Sequence, residues 1–360
     1  MMQLGAMPLA SFRRLHPEAK VTPEELAILK TYLAPWSDEG SRFASTRTAS
    51  GTPNAKSLVT VASRVSQFIV LTTVKPECDG FLFDSNFETW KLISTTDRGD
   101  NNTFRFVLGN DIAVKAVQSG NITPWPEGAR LAKVAWQQEL GSDGLIHPGQ
   151  FVQIELMLKN TRKYKNTDGW GWGRWRGLDL KPYGKDARFV NECTGCHLPV
   201  RGNDYVYTLP ITTSKIPKDE IVNNAAAALP SSLPYQPLGW SAITMYVDPM
   251  THTTATLYGN DIAMRTVMSR SAIRTAAGEL EYAGGSVLAL VTWVQRQDPH
   301  WFGARIPQTP KAVEFVHLTD AGTKTYSRYD AAGQLSDRTD TRGTFERTDF
   351  IVGLSPAQFP

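Results

Sequence analysis

An internal repeat constrains this chain more than any other feature. Trp90 stands 19 positions before the run Gly109-Asn110-Asp111-Ile112-Ala113, and Trp240 stands 19 positions before Gly259-Asn260-Asp261-Ile262-Ala263. Each run opens a helical stretch, 113–119 and 263–269. Both starts carry an Asn-Asp pair of the kind that accepts hydrogen bonds from first-turn N–H groups. A strand-like segment at 128–136 has its counterpart at 285–293, and another at 152–156 has its counterpart at 311–315. The same unit therefore occurs twice, and a supersecondary unit used twice predicts an α+β fold. The expectation is two related, mainly antiparallel β domains with packed helices.

The chain has 360 residues, enough at roughly 150 residues per domain for two such units and a remainder. The first segment, 1–38, holds a helix start at Pro23 with Glu24 and Glu25 in the first turn, where proline and acids are favoured. Residues 39–57, rich in Ser, Thr, Gly and Ala, read as a linker. The first unit then spans 58–215, and the second spans 216–360 and ends in a polar tail. A hydrophobic content of 41% with 20% charged residues reads as a soluble globular chain. The net charge is only +3 and no Lys/Arg block is present, so nucleic acid is a poor partner. The longest nearly uncharged apolar run, 284–294, has 11 residues, well short of the ~20 that a spanning helix needs.

Only the first unit carries Cys193-Thr194-Gly195-Cys196-His197, a C-x-x-C-H pattern. Such a pattern is expected by chance in roughly 4 chains of this composition in 10,000, and it is the attachment pattern of c-type haem. Two thiols at that spacing add across the two vinyl groups of one porphyrin, and the next residue places its imidazole beneath the iron. Alternative readings are a redox dithiol or half of a zinc site. The third cysteine, Cys78, stands alone, and the other five histidines are dispersed. One covalent haem c, with His197 as the metal ligand, is therefore the expected cofactor. Covalent haem implies maturation outside the cytoplasm, so a periplasmic location is expected. The N-terminus lacks the apolar core of an export leader, so the expectation is that either the start is truncated or the gene model is wrong.

The runs Trp90 to Arg98, Gly109 to Ala113, Asn121-Ile122-Thr123-Pro124-Trp125-Pro126, Trp170-Gly171-Trp172, Leu178 to Lys185 and Cys193 to His197 followed by Asn203 to Val206 resemble the cytochrome P-460 family. The resemblance covers residues 84–212, with 235–320 a degenerate second copy. It implies a small antiparallel β fold with packed helices, paired subunits, and oxidation of hydroxylamine to nitrogen oxides. It also implies a lysine bonded to the porphyrin edge, which falls on Lys133, and a distal carboxylate that takes protons, which falls on Glu155. In the second copy Glu314 keeps the carboxylate, but Leu290 replaces the lysine. Met7-Pro8 and the helix after it resemble the end of a class I cytochrome c domain; a plain amphipathic helix is the other reading.

Alternation along the strands groups Leu131, Lys133 and Ala135 on one face. On the next strand it sets Val152, Ile154, Leu156 and Leu158 against Gln153, Glu155 and Met157. Lys133 is either a haem-facing amine or a snorkelling edge lysine, and Glu155 is either a general base or a surface acid. Trp170, Trp172 and Trp175 wall the haem or fill core. Tyr205 and Tyr207 pose the same choice, while Lys181 and Lys185 pair a haem propionate or face water.

The resulting expectation is a periplasmic mono-haem oxidoreductase acting on a small nitrogenous substrate, hydroxylamine or nitric oxide, and passing electrons to an accepting cytochrome. Rival readings are a nitric-oxide-binding protein like the beta form of cytochrome c prime, a plain electron-transfer cytochrome, and a binding module. Family pairing makes a dimer, or an internal pseudo-dimer of the two copies, the expected assembly.

Overall fold

The structure is a computed structural model that describes residues 22–24, 27, 74–186, 188–211, 223–269, 280–336 and 343–360. Apart from Pro23, Glu24 and Ala27, which are helical, the expected helical segment 1–38 and linker 39–57 lie outside the described residues. Everything below belongs to one compact unit, residues 62–360.

Strands β1 (Lys91–Arg98) and β2 (Thr103–Gly109) lead into helix α1 (Asp111–Ser119), followed by β3 (Arg130–Leu140), β4 (Ile146–Lys159), β5 (Trp170–Arg176), the short β6 (Lys181–Pro182) and helix α2 (Arg188–His197). The order then recurs: β7 (Ser241–Asp248), β8 (Thr253–Gly259), α3 (Asp261–Met268), β9 (Val287–Gln297), β10 (Ala304–Leu318), β11 (Lys324–Asp330) and α4 (Gly343–Gly353). The Asn caps act as the sequence suggests. Asn110 accepts from the Ala113 N–H at 3.0 Å and donates to the Gly128 carbonyl at 3.0 Å, and Asn260 does the same with Ala263 and Gly285 at 2.9 and 3.0 Å. Gly128 and Gly285 sit at φ +80 and +81, a region open to glycine at little cost. Any side chain there would also press on Ile112 or Ile262.

The mixed α+β class holds, but the expected division into two β domains does not. All eleven strands form one antiparallel sheet in the order β3-β2-β1-β10-β9-β8-β7-β4-β5-β6, with β11 on β10. Strand β3 also pairs β4, so eight strands close into a ring. Closure satisfies edge N–H and C=O groups that either half alone would expose. The long fourth strands achieve it. Strand β4 pairs β3 for most of its length and meets β7 at Ile146↔Val247; β10 pairs β9 and meets β1 at Asp97↔Arg305. The same register irregularity occurs in both hairpins, at Trp136–Phe151 and at Trp293–Pro310.

One face of the ring packs a core shared by both halves, with Phe106, Trp136 and Ile154 against Tyr258, Trp293 and Phe315. The opposite face carries two separate clusters. Val107, Leu131 and Trp172 lie under α1 and α2, and Leu257, Leu290 and Val316 lie under α3 and α4. No described helix is long and apolar enough to cross a membrane.

Candidate functional site

The outer face of β2–β5 carries a charged row. Val107, Lys133, Glu155 and Arg174 are direct cross-strand partners on β2, β3, β4 and β5. Side chains directly opposite each other on one sheet face come into contact, and here a carboxylate sits between two cations. Lys133 Nζ pairs with Glu155 Oε2, Arg174 Nε lies 3.0 Å from Oε1, and the Gln153 amide donates to Oε1 at 2.6 Å. Burial alone would push the Glu155 carboxyl up; Lys133, Arg174 and Arg105 outweigh it and hold the carboxyl down at about 2. Burial moves the Lys133 ammonium the other way, lowering its pKa against the pull of Glu155. The alternation expected for both strands is met: Ile154 and Leu156 enter the shared core, while Lys133 and Glu155 face outward into a cavity.

Helix α2 supplies the other side of that cavity. Positions i, i+3 and i+4 share a helix face, so Cys193, Cys196 and His197 project together, and all three line the cavity. The thiols are free, and burial pushes that of Cys193 up to about 12. Burial likewise lowers His197 to about 4, against the opposing hydrogen bond to Tyr205, so the ring is neutral at neutral pH. Its Nδ1–H donates to the Tyr205 carbonyl at 2.7 Å. A carbonyl only accepts, so Nε2 is left as the nitrogen with a free lone pair.

The Tyr205 carbonyl is itself held in place at some cost. Asp204 and Tyr205 adopt φ +50 and +66, a left-handed backbone that costs non-glycine residues on the order of 1 kcal/mol each. Asp204 offsets this by accepting from Lys159 Nζ at 2.7 Å and the Trp125 N–H at 2.8 Å, while the Tyr205 hydroxyl donates to Asp168.

The cavity has a volume of about 280 Å³ and draws on both halves. Trp301, in the β9–β10 connection, closes it beside Tyr207 at 5.0 Å between ring centroids. His300 holds that connection down, its Nδ1–H donating to the Tyr207 carbonyl at 2.8 Å. A run of rings thus links Trp172, His197, Tyr207 and Trp301, with spacings of 4.6, 5.1 and 5.0 Å.

The donor set fits a covalently attached haem. Two free thiols and an imidazole with an unprotonated Nε2 border one space, and three buried donors without partners, Arg98 Nη1, Arg105 Nε and Trp172 Nε1, belong to residues that line it. Buried donors left unpaired cost about 1–3 kcal/mol each, which a group bearing acceptor atoms would relieve. Among the described residues no group of three or more His, Cys, Asp or Glu is placed to hold a bare metal ion. The half-zinc-site reading of the cysteine pair finds no further ligands there.

All five expected site residues, Lys133, Glu155, Cys193, Cys196 and His197, therefore line one cavity. Of Trp170, Trp172 and Trp175, only Trp172 lines it; Trp170 and Trp175 are core. Tyr207 lines it through its side chain, and Tyr205 contributes its carbonyl. Lys181 is exposed and pairs Asp179 at 2.8 Å, and Lys185 is exposed. Sequence reasoning missed Arg98, Arg105, Arg174 and Trp301. The arginine opposite Glu155 was within reach, since it falls in the Trp170–Arg176 strand whose alternation sets Trp172 and Arg174 on one face. Trp301 had no local signal.

No curated protein matches the chain. Residues 84–208 match the model of the family described as Cytochrome P460, and over those residues the chain carries a single Cytochrome P460-family domain.

Proposed function

We propose that this chain is a periplasmic c-type haem oxidoreductase that oxidises hydroxylamine in the cavity bordered by Cys193, Cys196 and His197. The observation that carries the reading is the meeting of Cys193, Cys196, His197, Lys133 and Glu155 around one cavity. A haem bound there supplies an iron centre able to take electrons from a small nitrogen compound and release them one at a time to an accepting cytochrome. Cys193 and Cys196 would hold the macrocycle through thioether bonds and His197 would offer Nε2 to the metal, its tautomer fixed by the Tyr205 carbonyl.

Glu155 accepts substrate protons at its carboxylate oxygens. As an acid held at about 2 it is a poor base near neutrality, because a general base works best with a pKa near the operating pH. With Lys133 held as a link to the macrocycle edge, Glu155 would lose the ammonium it now pairs with, and its carboxyl would lie higher than where Lys133 helps to hold it. The lysine link thus acts on the proton acceptor as well as on the macrocycle.

Residues 216–360 read as a degenerate second copy of the domain, and the joins between halves support an internal pseudo-dimer. Asp97 and Val247 hold the same place in β1 and β7, as Ile146 and Arg305 do in β4 and β10. The pairs Asp97↔Arg305 and Ile146↔Val247 are therefore the same contact made twice, the mark of an isologous interface.

The test is a mass spectrum of haem peptides from exported protein, with hydroxylamine oxidation measured alongside. Haem joined to Cys193, Cys196 and Lys133, with turnover, supports the enzyme. The Lys133–Glu155 ion pair favours one rival, the gas-binding beta form of cytochrome c prime, in which the lysine stays free. Haem on the two cysteines alone, with nitric oxide binding and no turnover, would establish that rival.

A further inference from the structure

The cavity carries more positive charge than the proposed chemistry uses. Lys133 pairs with Glu155, and Arg174 with Glu155 and Glu192, but two further guanidiniums, on β1 and β2, sit beside them. Arg98, with its side chain 3% exposed, pairs Asp100 through Nε and Nη2 and leaves Nη1 buried without a partner. Arg105, beside the Lys133 row, has no hydrogen-bond or ion-pair partner among the described residues, and its Nε is buried without one. Both guanidiniums lie over the Trp301 ring, at 4.2 and 5.9 Å from its centroid, so the second half of the chain clamps them in place. A buried cation with unpaired N–H groups calls for an anionic acceptor, and a planar guanidinium matches a carboxylate or oxyanion in shape.

We propose that Arg98 and Arg105, held under Trp301, form an anion subsite in the cavity that takes a carboxylate or a small oxyanion. Two sources share that chemistry: the carboxylates of a haem bound in the cavity, or a free oxyanion such as nitrite. The first source rests on the haem reading above; the second does not. The second half thereby gains a role in the site, since its Trp301 faces both arginines.

The subsite is tested by titrating sodium nitrite by calorimetry into the full-length chain, prepared with and without haem, as wild type and as Arg98→Gln, Arg105→Gln and Arg105→Lys, each checked by a thermal melt. The haem-free wild type is expected to bind nitrite. Arg105→Gln should weaken binding tenfold or more, as loss of a charge-assisted hydrogen bond does, and Arg105→Lys should recover part of it. Equal binding by the haem-loaded chain identifies a free oxyanion as the occupant. Binding abolished by haem, together with a shifted reduction potential in haem-loaded Arg105→Gln, identifies the macrocycle carboxylates. If the haem-free chain binds no nitrite, or binds it equally well as Arg98→Gln and Arg105→Gln, and the potential does not move, the proposal is overturned. An exported chain that retains no haem would sink the proposed function, yet the haem-free titration would still decide the subsite.

Discussion

Glu155 and Glu314 hold the same register position in the two halves of the ring. Glu155 lies between Lys133 on β3 and Arg174 on β5, and Glu314 lies between Leu290 on β9 and Arg328 on β11. Their surroundings then diverge. Around Glu155 the cations come from the sheet, and the carboxylate faces a cavity bordered by α2. Around Glu314 the apolar Leu290 is fully buried, and α4 lowers Arg347 onto the acid with two 2.7 Å contacts, while the Tyr326 hydroxyl donates at 2.6 Å. Glu314 is 1% exposed. Burial lowers the pKa of Arg347, but Glu314 and the Tyr246 hydroxyl outweigh it and raise it. One backbone row thus supports either an acid facing open space or an acid locked to a helix. The β3 or β9 residue and the helix that covers the row decide which.

The comparison breaks most visibly in rate. Glu155→Gln is expected to lower hydroxylamine turnover by roughly 10²–10⁴-fold, the usual range for a general base, with the folded state kept; unchanged turnover would remove Glu155 from the chemistry. Next in size is Glu314→Ala, which strands Arg347 and should cost about 3–5 kcal/mol in urea denaturation without touching the haem side. A smaller loss there than in Glu155→Gln would reverse the assignment of structural and functional acids.

Acid stability sharpens the same contrast. In the haem-free chain, with Lys133 unlinked, an unfolded glutamate protonates below about 4.3, whereas folded Glu155 is held at about 2. A depressed carboxyl stabilises above the unfolded value, and that contribution is lost as the pH falls from about 4 to about 2. It is worth up to about 3 kcal/mol, and a Glu155→Gln chain should lack that part of the acid transition. Smallest is a swap in the second half. Arg347→Met should destabilise, and adding Leu290→Lys should recover roughly 0.5–3 kcal/mol as a coupling energy. No recovery would mean that equivalent register does not carry equivalent energetics.

Local pattern made much of this legible. Period-two alternation placed Lys133 and Glu155 on the outer face, the Asn-Asp pairs marked both caps, and the spacing of Cys193, Cys196 and His197 fixed a single helix face. What sequence did not show was contact between distant segments. Nothing near Asp97 announces pairing with Arg305, because long-range strand register leaves no local periodicity. The two halves therefore read as separate domains until the sheet joined them. Trp301 was missed for the same reason, as it reaches Arg98 only through that join. Arg347 lies in a polar stretch whose helix gains meaning only once Glu314 is beneath it.

The central claim is that the first half holds a haem covalently, with Lys133 bonded to its edge. The optical spectrum of the reduced, correctly matured chain tests it most directly. A strongly red-shifted Soret band is the predicted result; an ordinary c-type Soret position, or no haem absorption at all, would contradict it.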